Sequence, residues 1–454
     1  MLTRRNFIEK AIITPIQAIA AVEISNFLPI NRKPKVVIIG AGLSGLAAGY
    51  LLAQKGIDTT ILEARSRLGG RVYSHTIDKG ENLAVELGAE WIGASHQRVI
   101  SLCQELGLEL HNNQFQTHLL YQGKYFRQDE WDFSDAWYDK LEILLKAYSN
   151  LSEADKMKLD KIDLWRYLVD NGITERDLDF IELIKSTDFG ESIRFASAFI
   201  ALDEYVESQE TYHMDYKIKG GNSKLAQALA ARIGRDKILL NSQVIAIEQT
   251  GRIVAITCAN GDKITADKVI CTLPTTVMKS IRWNPVLPED KLEAIDALQY
   301  SRINKYATLY NRRFWQDESF DLITDGPAHY FYHATKDQAS HKGALISYTI
   351  GDKADIFARQ SDAGRNVLVE SALKPIFGDT KQYALKQINH YWGSDEFARG
   401  SYAFYGKNQW FNIRPVLQRR FKHVHFAGEH IADWQGYMEG AIETGEAASA
   451  AILG

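Results

Sequence analysis

The first regular pattern in the chain is a short apolar run, Val36-Val37-Ile38-Ile39, that is rich in β-branched residues. Such a run, without polar alternation, predicts a strand buried on both faces, which is typical of a parallel sheet. Glycines follow at once, residues 46–55 predict a helix that ends at Gly56, and residues 59–62 predict a second strand. This order of strand, helix and strand predicts an α/β fold.

The pattern changes between about residues 112 and 220, where aromatic and charged positions are mixed. Helices are predicted there at residues 137–151 and 175–185. The glycine pair Gly220-Gly221 then opens a further predicted helix. Later strands are predicted at residues 238–247, 253–258, 269–273 and 424–426, with glycine or polar turns between them, before a final helix.

Composition limits the class of protein. The chain has 454 residues, 45% of them hydrophobic, which is more than one hydrophobic core usually spans, so we expect two closely associated domains. The formal net charge is −4, from 53 basic and 57 acidic residues, and a nucleic-acid-binding protein would carry a basic excess. Cys103, Cys258 and Cys271 are spaced as in neither a zinc site nor a disulfide framework, and no metal site is predicted. No apolar run reaches the roughly 18 residues of a membrane-spanning helix.

The N-terminal segment differs from the rest of the chain. Arg4-Arg5 precede a mildly apolar stretch at residues 11–24, and Ala18-Ile19-Ala20 offers a weak cleavage site. The segment resembles a twin-arginine export signal, whose machinery carries folded proteins. The alternative is a poorly ordered basic segment before a cytoplasmic domain. We therefore take residues 1–33 as a leader and expect periplasmic or exported protein.

The glycines after the first predicted strand form the pattern Gly40-Ala41-Gly42-Leu43-Ser44-Gly45. In such a fingerprint the first glycine permits a tight turn, the second lets the backbone approach a pyrophosphate, and the third allows close packing. The N-terminus of the helix presents free N–H groups and a positive dipole to the phosphates. Glu63 lies 18 residues after Gly45, where a carboxylate accepts hydrogen bonds from ribose hydroxyls. The alternative is a structural glycine turn, which does not explain the whole ordered set.

The residues after Glu63 carry a resemblance to a known family. Three segments are involved: Ala64 to Arg71 with its Gly69-Gly70 pair, residues 85–93, and Gly436-Tyr437-Met438 before the last helix. They resemble the flavin amine oxidases, which include monoamine oxidases, polyamine oxidases and histone lysine demethylases. The resemblance covers about residues 35–454 and implies bound FAD. Fingerprint and resemblance together place at the cofactor Gly40, Gly42, Leu43, Ser44, Gly45, Glu63, Ala64, Arg65, Gly70, Arg71, Gly88, Ala89, Glu90, Trp91, Val244, Trp392, Gly428, Glu429, Gly436, Tyr437 and Met438.

The resemblance also implies how the chain is divided. It implies a Rossmann-type FAD-binding domain with an interleaved α+β substrate-binding domain. Residues 34–111, 220–282 and 395–454 would form the discontinuous FAD-binding domain. Residues 112–219 and 283–394 would form the substrate-binding domain as two inserts.

Three residues are implied to face the reacting part of the flavin. Lys305 lies in an alternating strand pattern, where the family keeps a lysine linked through water to the flavin. Tyr402 and Tyr437 match two tyrosines that form an aromatic cage around the substrate nitrogen. The structural alternatives are a solvent-facing lysine and two ordinary core tyrosines. Monoamine oxidases carry a flavin-linked cysteine directly before the first cage tyrosine, where this chain has Ser401, so we expect non-covalent FAD.

The implied reaction oxidises the C–H bond next to an amine nitrogen. The imine hydrolyses to an aldehyde or ketone, and O2 is reduced to hydrogen peroxide. L-Amino-acid oxidases that resemble this chain place Met-Arg after Gly-Ala, and that Arg binds the substrate carboxylate, whereas here Glu90-Trp91 follow Gly88-Ala89. We therefore expect a small amine, with Glu90 favouring a cationic one. The alternatives are an L-amino-acid oxidase, a carotenoid-type desaturase and a non-catalytic flavin-binding protein. The particular amine and the oligomeric state stay open, with a dimer among the states considered.

Overall fold

The computed structural model describes residues 33–211 and 216–454. The twin-arginine segment lies outside the described residues, so export stays a prediction. The strands are β1 (Val36–Ile39), β2 (Thr59–Leu62), β3 (Ser74–Asp78), β4 (Leu83–Glu86), β5 (Leu110–Asn112), β6 (Gln116–Tyr121), β7 (Lys124–Phe126), β8 (Tyr216–Ile218), β9 (Ile238–Leu239), β10 (Val244–Thr250), β11 (Ile253–Cys258), β12 (Lys263–Ala266), β13 (Lys268–Cys271), β14 (Arg282–Asn284), β15 (Gln299–Tyr300), β16 (Ile303–Tyr310), β17 (Phe320–Thr324), β18 (Tyr330–His333), β19 (Gly343–Ile350), β20 (Ala384–Tyr391), β21 (Ala403–Phe404) and β22 (Val424–Phe426).

The helices accompany these strands along the chain. They are α1 (Leu43–Gln54), α2 (Gln97–Glu105), α3 (Asp135–Ser149), α4 (Glu153–Leu159), α5 (Leu164–Asp170), α6 (Glu175–Phe189), α7 (Ala198–Thr211), α8 (Ser223–Ile233), α9 (Thr275–Met278), α10 (Glu289–Ala297), α11 (Gly351–Arg359), α12 (Asp362–Phe377), α13 (Arg414–Gln418) and α14 (Met438–Leu453). Short 3-10 turns lie at Gln128–Glu130, Arg235–Lys237, Lys381–Tyr383, Trp392–Ser394 and Glu429–Ile431.

The sheet that carries the fingerprint has five parallel strands in the order β22-β13-β1-β2-β9. Every residue of β1 is buried, as the continuous apolar run predicted. The carboxyl ends of parallel strands meet at one edge of a sheet, so the turns after β1, β2 and β22 lie there together. Those turns carry Gly42, Glu63 and Gly428, which places three predicted cofactor residues at the same edge.

The prediction of one strand over residues 238–247 is wrong. Two strands occur there in different sheets: β9 extends the parallel sheet, and β10 joins the four-stranded sheet β12-β11-β10-β14. The chain turns at Asn241, whose φ of 55° lies in the left-handed region that asparagine tolerates. Asn241 N–H donates to the Arg65 carbonyl at 3.0 Å, and Ser242 N–H donates to the Glu63 carbonyl at 2.8 Å. The turn is therefore held by the chain beyond β2, which an apolar pattern does not reveal.

The helices predicted at residues 137–151 and 175–185 are present as α3 and α6 with shifted ends. α3 begins earlier because Ser134 caps it, its Oγ accepting the Trp137 N–H at 3.2 Å. α6 runs further than predicted, and Gly190 ends it with a φ of 66°. Capping residues, rather than the apolar pattern, set these ends.

A second, seven-stranded mixed sheet has the order β20-β16-β19-β18-β17-β6-β7. Its strands come from residues 116–126 and 303–391, which lie within the two predicted inserts. β16 and β19 are buried at every position, so the strand of Lys305 has no solvent-facing side. Residues 34–454 form one compact unit, and the domain boundaries stay a prediction. Among the described helices none combines the length and apolarity needed to cross a membrane.

Candidate active site

One cavity of about 520 Å³ collects the residues that the sequence singled out. Every predicted catalytic and cofactor residue lines it except Gly45, which is packed inside the fingerprint turn. Ser401 lines it as well. We call one part the cofactor cleft, lined by Gly42, Ser44, Glu63, Arg65, Arg71 and Val244, and the other part the amine pocket, lined by Lys305, Asp321, Tyr330, Tyr348, Tyr402 and Tyr437.

The N-terminus of α1 fits a dinucleotide phosphate. Gly42 is its N-cap and provides no side-chain hydrogen bond, so the first N–H groups of the helix are left for a ligand. A Cβ on Gly42 would meet nothing within 4 Å, whereas one on Gly45 would lie 1.9 Å from the Gly40 carbonyl oxygen. The buried Ser44 hydroxyl has no hydrogen-bond partner in the described structure. Open backbone, N–H groups and a hydroxyl together suit phosphate oxygens.

Glu63 follows β2 and is 5% exposed in the cofactor cleft. Its carboxylate accepts the Ala41 N–H at 2.7 Å and the Arg65 N–H at 2.9 Å. Burial raises the pKa of Glu63, and these two N–H groups act in the opposite direction. Each carboxylate oxygen has a second lone pair, so Glu63 keeps acceptor capacity for ribose hydroxyls.

Both arginines of the cofactor cleft are held by carboxylates of the chain. Arg65 donates to Asp395 Oδ2 at 2.9 Å, and Arg71 forms an ion pair with Glu429. The second oxygen of Glu429 accepts the Gly436 N–H at 3.0 Å, two residues before α14 begins. Arg71 and Glu429 therefore hold in place the segment that leads into α14. The predicted contact of Arg71 with an FAD phosphate stays a prediction.

The two predicted cage tyrosines line the same pocket. A Cβ on Gly436 would lie 3.3 Å from Tyr402 Cδ2, so the Tyr402 ring packs against the residue before Tyr437. The hydroxyls of Tyr402 and Tyr348 are 3.1 Å apart, and the Tyr437 hydroxyl donates to Glu204 Oε1 at 3.4 Å. These bonds restrict how the rings rotate. Their contact with a substrate nitrogen stays a prediction.

Lys305 extends from β16 into a buried group of polar atoms. Its Nζ donates to the carbonyls of Glu86 at 3.1 Å and Gly88 at 2.8 Å, and to Glu90 Oε2 at 3.1 Å. Its side chain is 3% exposed, so it is not a solvent-facing lysine. Burial lowers the pKa of Lys305, and the neighbouring Glu90 offsets only part of that effect. The pocket therefore contains an amine of reduced proton affinity.

Lys217, which the sequence analysis did not single out, completes this group. It lies on β8 and donates to Glu90 Oε1 at 2.9 Å and to the Ala334 carbonyl at 3.2 Å. The Tyr332 hydroxyl donates to Glu90 Oε2 at 2.5 Å. Burial alone would raise the pKa of Glu90, but Lys217 and Lys305 lower it below its usual value. Glu90 is thus an ionised carboxylate satisfied within the protein, and it does not offer a free charge to a cationic substrate as its sequence position suggested.

Residues 43–453 match the family described as flavin containing amine oxidoreductase. The chain belongs to this family. The protein is an FAD-dependent enzyme that oxidises amines, and the turn, helix N-terminus and acid predicted to hold FAD all lie in the cofactor cleft. When bound, FAD supplies the redox chemistry. None of Cys103, Cys258 and Cys271 lines the cavity, and non-covalent FAD stays a prediction.

Relatives of the amine oxidoreductase cover nearly its whole length. It is 27% identical to "L-amino acid oxidase Bs29" of Bothriechis schlegelii, over 92% of this chain and 90% of that one. It is 26% identical to the "Flavin-dependent L-tryptophan oxidase RebO" of Lentzea aerocolonigenes, over 92% and 98%. The solved cyclohexylamine oxidase from Brevibacterium oxydans IH-35A is similar with a TM-score of 0.81 at 24% identity, over 93% and 99%. Putrescine oxidase bound to putrescine is similar with a TM-score of 0.82 at 21% identity, over 93% and 99%. These structural likenesses show the fold.

Sequence reasoning also missed the aromatic and acidic wall of the amine pocket. Asp321, Tyr330 and Tyr348 lie on the neighbouring strands β17, β18 and β19. One signal was present, because an aspartate within the otherwise apolar run of β17 is uncommon in a buried strand. In the part of the chain that the structure describes, no cluster of three or more His, Cys, Asp or Glu side chains is arranged to hold a metal.

Proposed function

We propose that the protein is an oxidase of amines that carry no carboxylate beside the nitrogen, with O2 as the electron acceptor. The observation that supports this is the state of the basic groups around the cavity. Of the described residues that line it, the basic ones are Arg65, Arg71 and Lys305. Each forms an ion pair with a carboxylate of the chain. The carboxylate of an amino acid would need an available cation, and the most suitable one is a bidentate arginine.

The balanced reaction is RCH2NH2 + O2 → RCH=NH + H2O2, followed by hydrolysis of the imine to RCHO and NH3. The chain's own contribution is to bind and orient the amine and to exclude water. Tyr402 and Tyr437 would place the nitrogen between their rings. Lys305, whose Nζ is held by two carbonyls and Glu90, would lie near the reacting atoms.

The principal rival is an L-amino-acid oxidase, which the two curated relatives are by name. Their identities of 26–27% leave room for a different substrate. The rival requires a cation for the substrate carboxylate, and the paired state of Arg65 and Arg71 is what disfavours it.

Matched substrates give the sharpest test. Phenethylamine differs from L-phenylalanine, and tryptamine from L-tryptophan, by the carboxylate alone. Peroxide release should be measured for each pair with purified holoenzyme, and bleaching of the flavin should be measured without O2. We expect turnover of the amines and little turnover of the amino acids. Preference for the amino acids would establish the rival, and a flavin that no substrate bleaches would leave only a flavin-binding protein.

We also propose export through the twin-arginine route. Two observations support this proposal. Arg4-Arg5 precede an apolar stretch, and an enzyme that binds FAD must be folded when it is exported with its cofactor, as this route allows. Replacing both arginines by lysine should retain the protein in the cytoplasm of a host that has this machinery. Wild-type protein found only in the cytoplasmic fraction would contradict the proposal.

A further inference from the structure

His96 lies directly behind the predicted cage tyrosine Tyr437. It is the N-cap residue of α2, and its side chain is fully buried. The centroid of its ring is 5.1 Å from that of Tyr437 and 5.2 Å from that of Trp434. Tyr437 and Trp434 both line the cavity, whereas His96 is not among the described residues that do so. His96 therefore contacts the cavity wall from the protein side, and any effect on a bound amine passes through that wall.

The three rings of His96, Trp434 and Tyr437 pack against one another. The Trp434 ring stands nearly perpendicular to both neighbours, at 78° to His96 and 82° to Tyr437, and its centroid is 6.0 Å from that of Tyr437. Aromatic pairs at such angles have a preferred geometry, because the positive edge of one ring meets the negative face of the other. Rotation of the Tyr437 ring would therefore disturb its contacts with both neighbours.

The proton position of His96 follows from its own loop. Its Nδ1 accepts the backbone N–H of Gly93 at 3.0 Å, so the neutral ring carries its proton on Nε2. Burial lowers the pKa of His96 to about 4, which keeps the ring neutral near pH 7. Nε2 is buried and has no hydrogen-bond partner in the described structure. Its N–H is left to the weaker interaction that aromatic faces offer to such a donor.

Glu439 joins the helices that carry His96 and Tyr437. Tyr437 is the N-cap residue of α14, and Glu439 lies in the first turn of that helix. The Glu439 carboxylate accepts two backbone N–H groups from the first turn of α2, that of Arg98 at 2.7 Å and that of Val99 at 2.8 Å. The dipole of α2 stabilises a carboxylate at this end. The N-termini of α2 and α14 are thus held together, so His96 keeps a fixed place against the Tyr437 ring.

We propose that His96 is a positioning residue of the amine oxidation, which acts by fixing the orientation of the Tyr437 ring beside the substrate nitrogen. The inference rests on the proposed function and its cage, and it adds a residue that no motif of the sequence singled out. His96 takes no part in breaking bonds or moving protons. Its loss should slow flavin reduction, because the nitrogen is less well aligned, and should leave FAD bound.

Two substitutions separate the ring of His96 from its hydrogen bond. His96→Asn keeps an acceptor for the Gly93 N–H and a favourable N-cap residue, but removes the ring. His96→Phe keeps a ring against Tyr437 and Trp434, but leaves the Gly93 N–H without its acceptor. The readout is the limiting rate of flavin reduction without O2, measured on bound flavin with phenethylamine or tryptamine, whichever reduces the wild type faster. We expect a loss of about 3- to 10-fold in His96→Asn and of less than about twofold in His96→Phe.

A double-mutant cycle tests whether His96 acts through Tyr437. In the Tyr437→Leu background there is no cage ring to orient, so adding His96→Asn should change the rate by less than about twofold. A residue that only supports the fold would multiply the two losses instead. His333→Asn is the matched control, because His333 is a buried histidine whose ring packs 4.9 Å from that of Trp315. Neither His333 nor Trp315 is among the described residues that line the cavity, so this control should keep the wild-type rate within about twofold.

Each outcome decides. Losses that multiply in the double variant, an unchanged rate in His96→Asn, a larger loss in His96→Phe than in His96→Asn, or an equal loss in the His333→Asn control would overturn the role of His96. If His96→Asn does not fold, the cycle is repeated with His96→Gln, which also lacks a ring. Loss of FAD from both would make His96 a structural residue and would overturn the role as well. A wild-type flavin that neither amine reduces would contradict the proposed function before any variant is made, so the two failures are distinguishable.

Discussion

Glu90 and Asp321 are two buried carboxylates on the wall of one cavity, and their surroundings are opposite. Glu90 has two ammonium partners, Lys217 at 2.9 Å and Lys305 at 3.1 Å, and a phenol besides. Among the described residues, Asp321 has two hydroxyl donors, and both donate to one oxygen. The pKa of Glu90 is lowered by its lysines, whereas burial raises the pKa of Asp321 to about 7.

The difference separates a carboxylate that has ionic partners from one held by hydroxyl groups. A buried ion needs partners to be stable, and Glu90 finds them within the chain. Asp321 has no ionic partner among the described residues, so burial raises its pKa and favours the protonated form. The position of a carboxylate in a cavity therefore does not establish its role until its partners are counted.

The largest effect is expected at Glu90, in the paired region that it forms with Lys217 and Lys305. Glu90→Gln would leave Lys217 and Lys305 buried without the carboxylate that both contact, and removing one partner of a buried pair costs about 3–5 kcal/mol in the free energy of unfolding. Asp321→Asn, the matched change in the other region, should cost less than about 1 kcal/mol or stabilise the protein, since Asp321 has no ionic partner among the described residues. Denaturant unfolding of both holoenzymes measures this. Equal losses would contradict the contrast between the two carboxylates.

The next effect is the pH dependence of the stability that Asp321 contributes. The pKa of Asp321 is raised from 3.8 to about 7 by folding, so the unfolded chain releases this proton first as pH rises. The stability that Asp321 contributes is complete below about pH 4 and is lost as pH rises to about 7. Relative to the wild type, Asp321→Asn should therefore gain stability between pH 4 and 7, by up to about 4 kcal/mol. Parallel stability curves for the two proteins across this interval would show that Asp321 is not perturbed.

A smaller effect is expected at Lys217, within the paired region. The positive charge of Lys217 lowers the pKa of Lys305. Without Lys217, Lys305 is the lysine that still pairs with Glu90. In Lys217→Met, the inflection that Lys305 gives to the pH dependence of kcat should move to higher pH by roughly one unit. Lys219→Met is the matched control, because Lys219 pairs with Glu109 at the exposed surface. If the pH dependence of kcat shifts in neither variant, or equally in both, Lys217 does not influence the pKa that controls the reaction.

The smallest effect is expected at Tyr437, where neither carboxylate acts directly. Tyr437→Phe keeps the π-face and should retain much of the activity, whereas Tyr437→Leu removes it. A cation–π or related contact of roughly 0.5–2 kcal/mol corresponds to a loss in kcat/KM of about two- to thirtyfold. Peroxide release and FAD content should be measured for both. Equal rates would reject the cage, and loss of FAD in both would make Tyr437 a structural residue.

Prediction from sequence succeeded where the evidence is local in the chain. The fingerprint with its acid at Glu63, and the start of the last helix, each lie within one short stretch of the chain, and the structure brings them to one cavity. It failed over residues 238–247, because the turn at Asn241 is held by backbone bonds to residues 63 and 65. The domain boundaries and the roles of individual site residues stay predictions.

The sequence by itself determined the family and the cofactor, because glycine spacing and strand order impose their geometry locally. Only the tertiary structure decided how the buried charges are shared. Lys217 and Lys305 reach Glu90 across 127 and 215 residues of chain, and no pattern along the sequence indicates that meeting. The same holds for Asp321, since its place in an apolar run does not show which groups surround it. Its environment arises from strands that pair only after folding, and burial without an ionic partner is a property of three-dimensional packing.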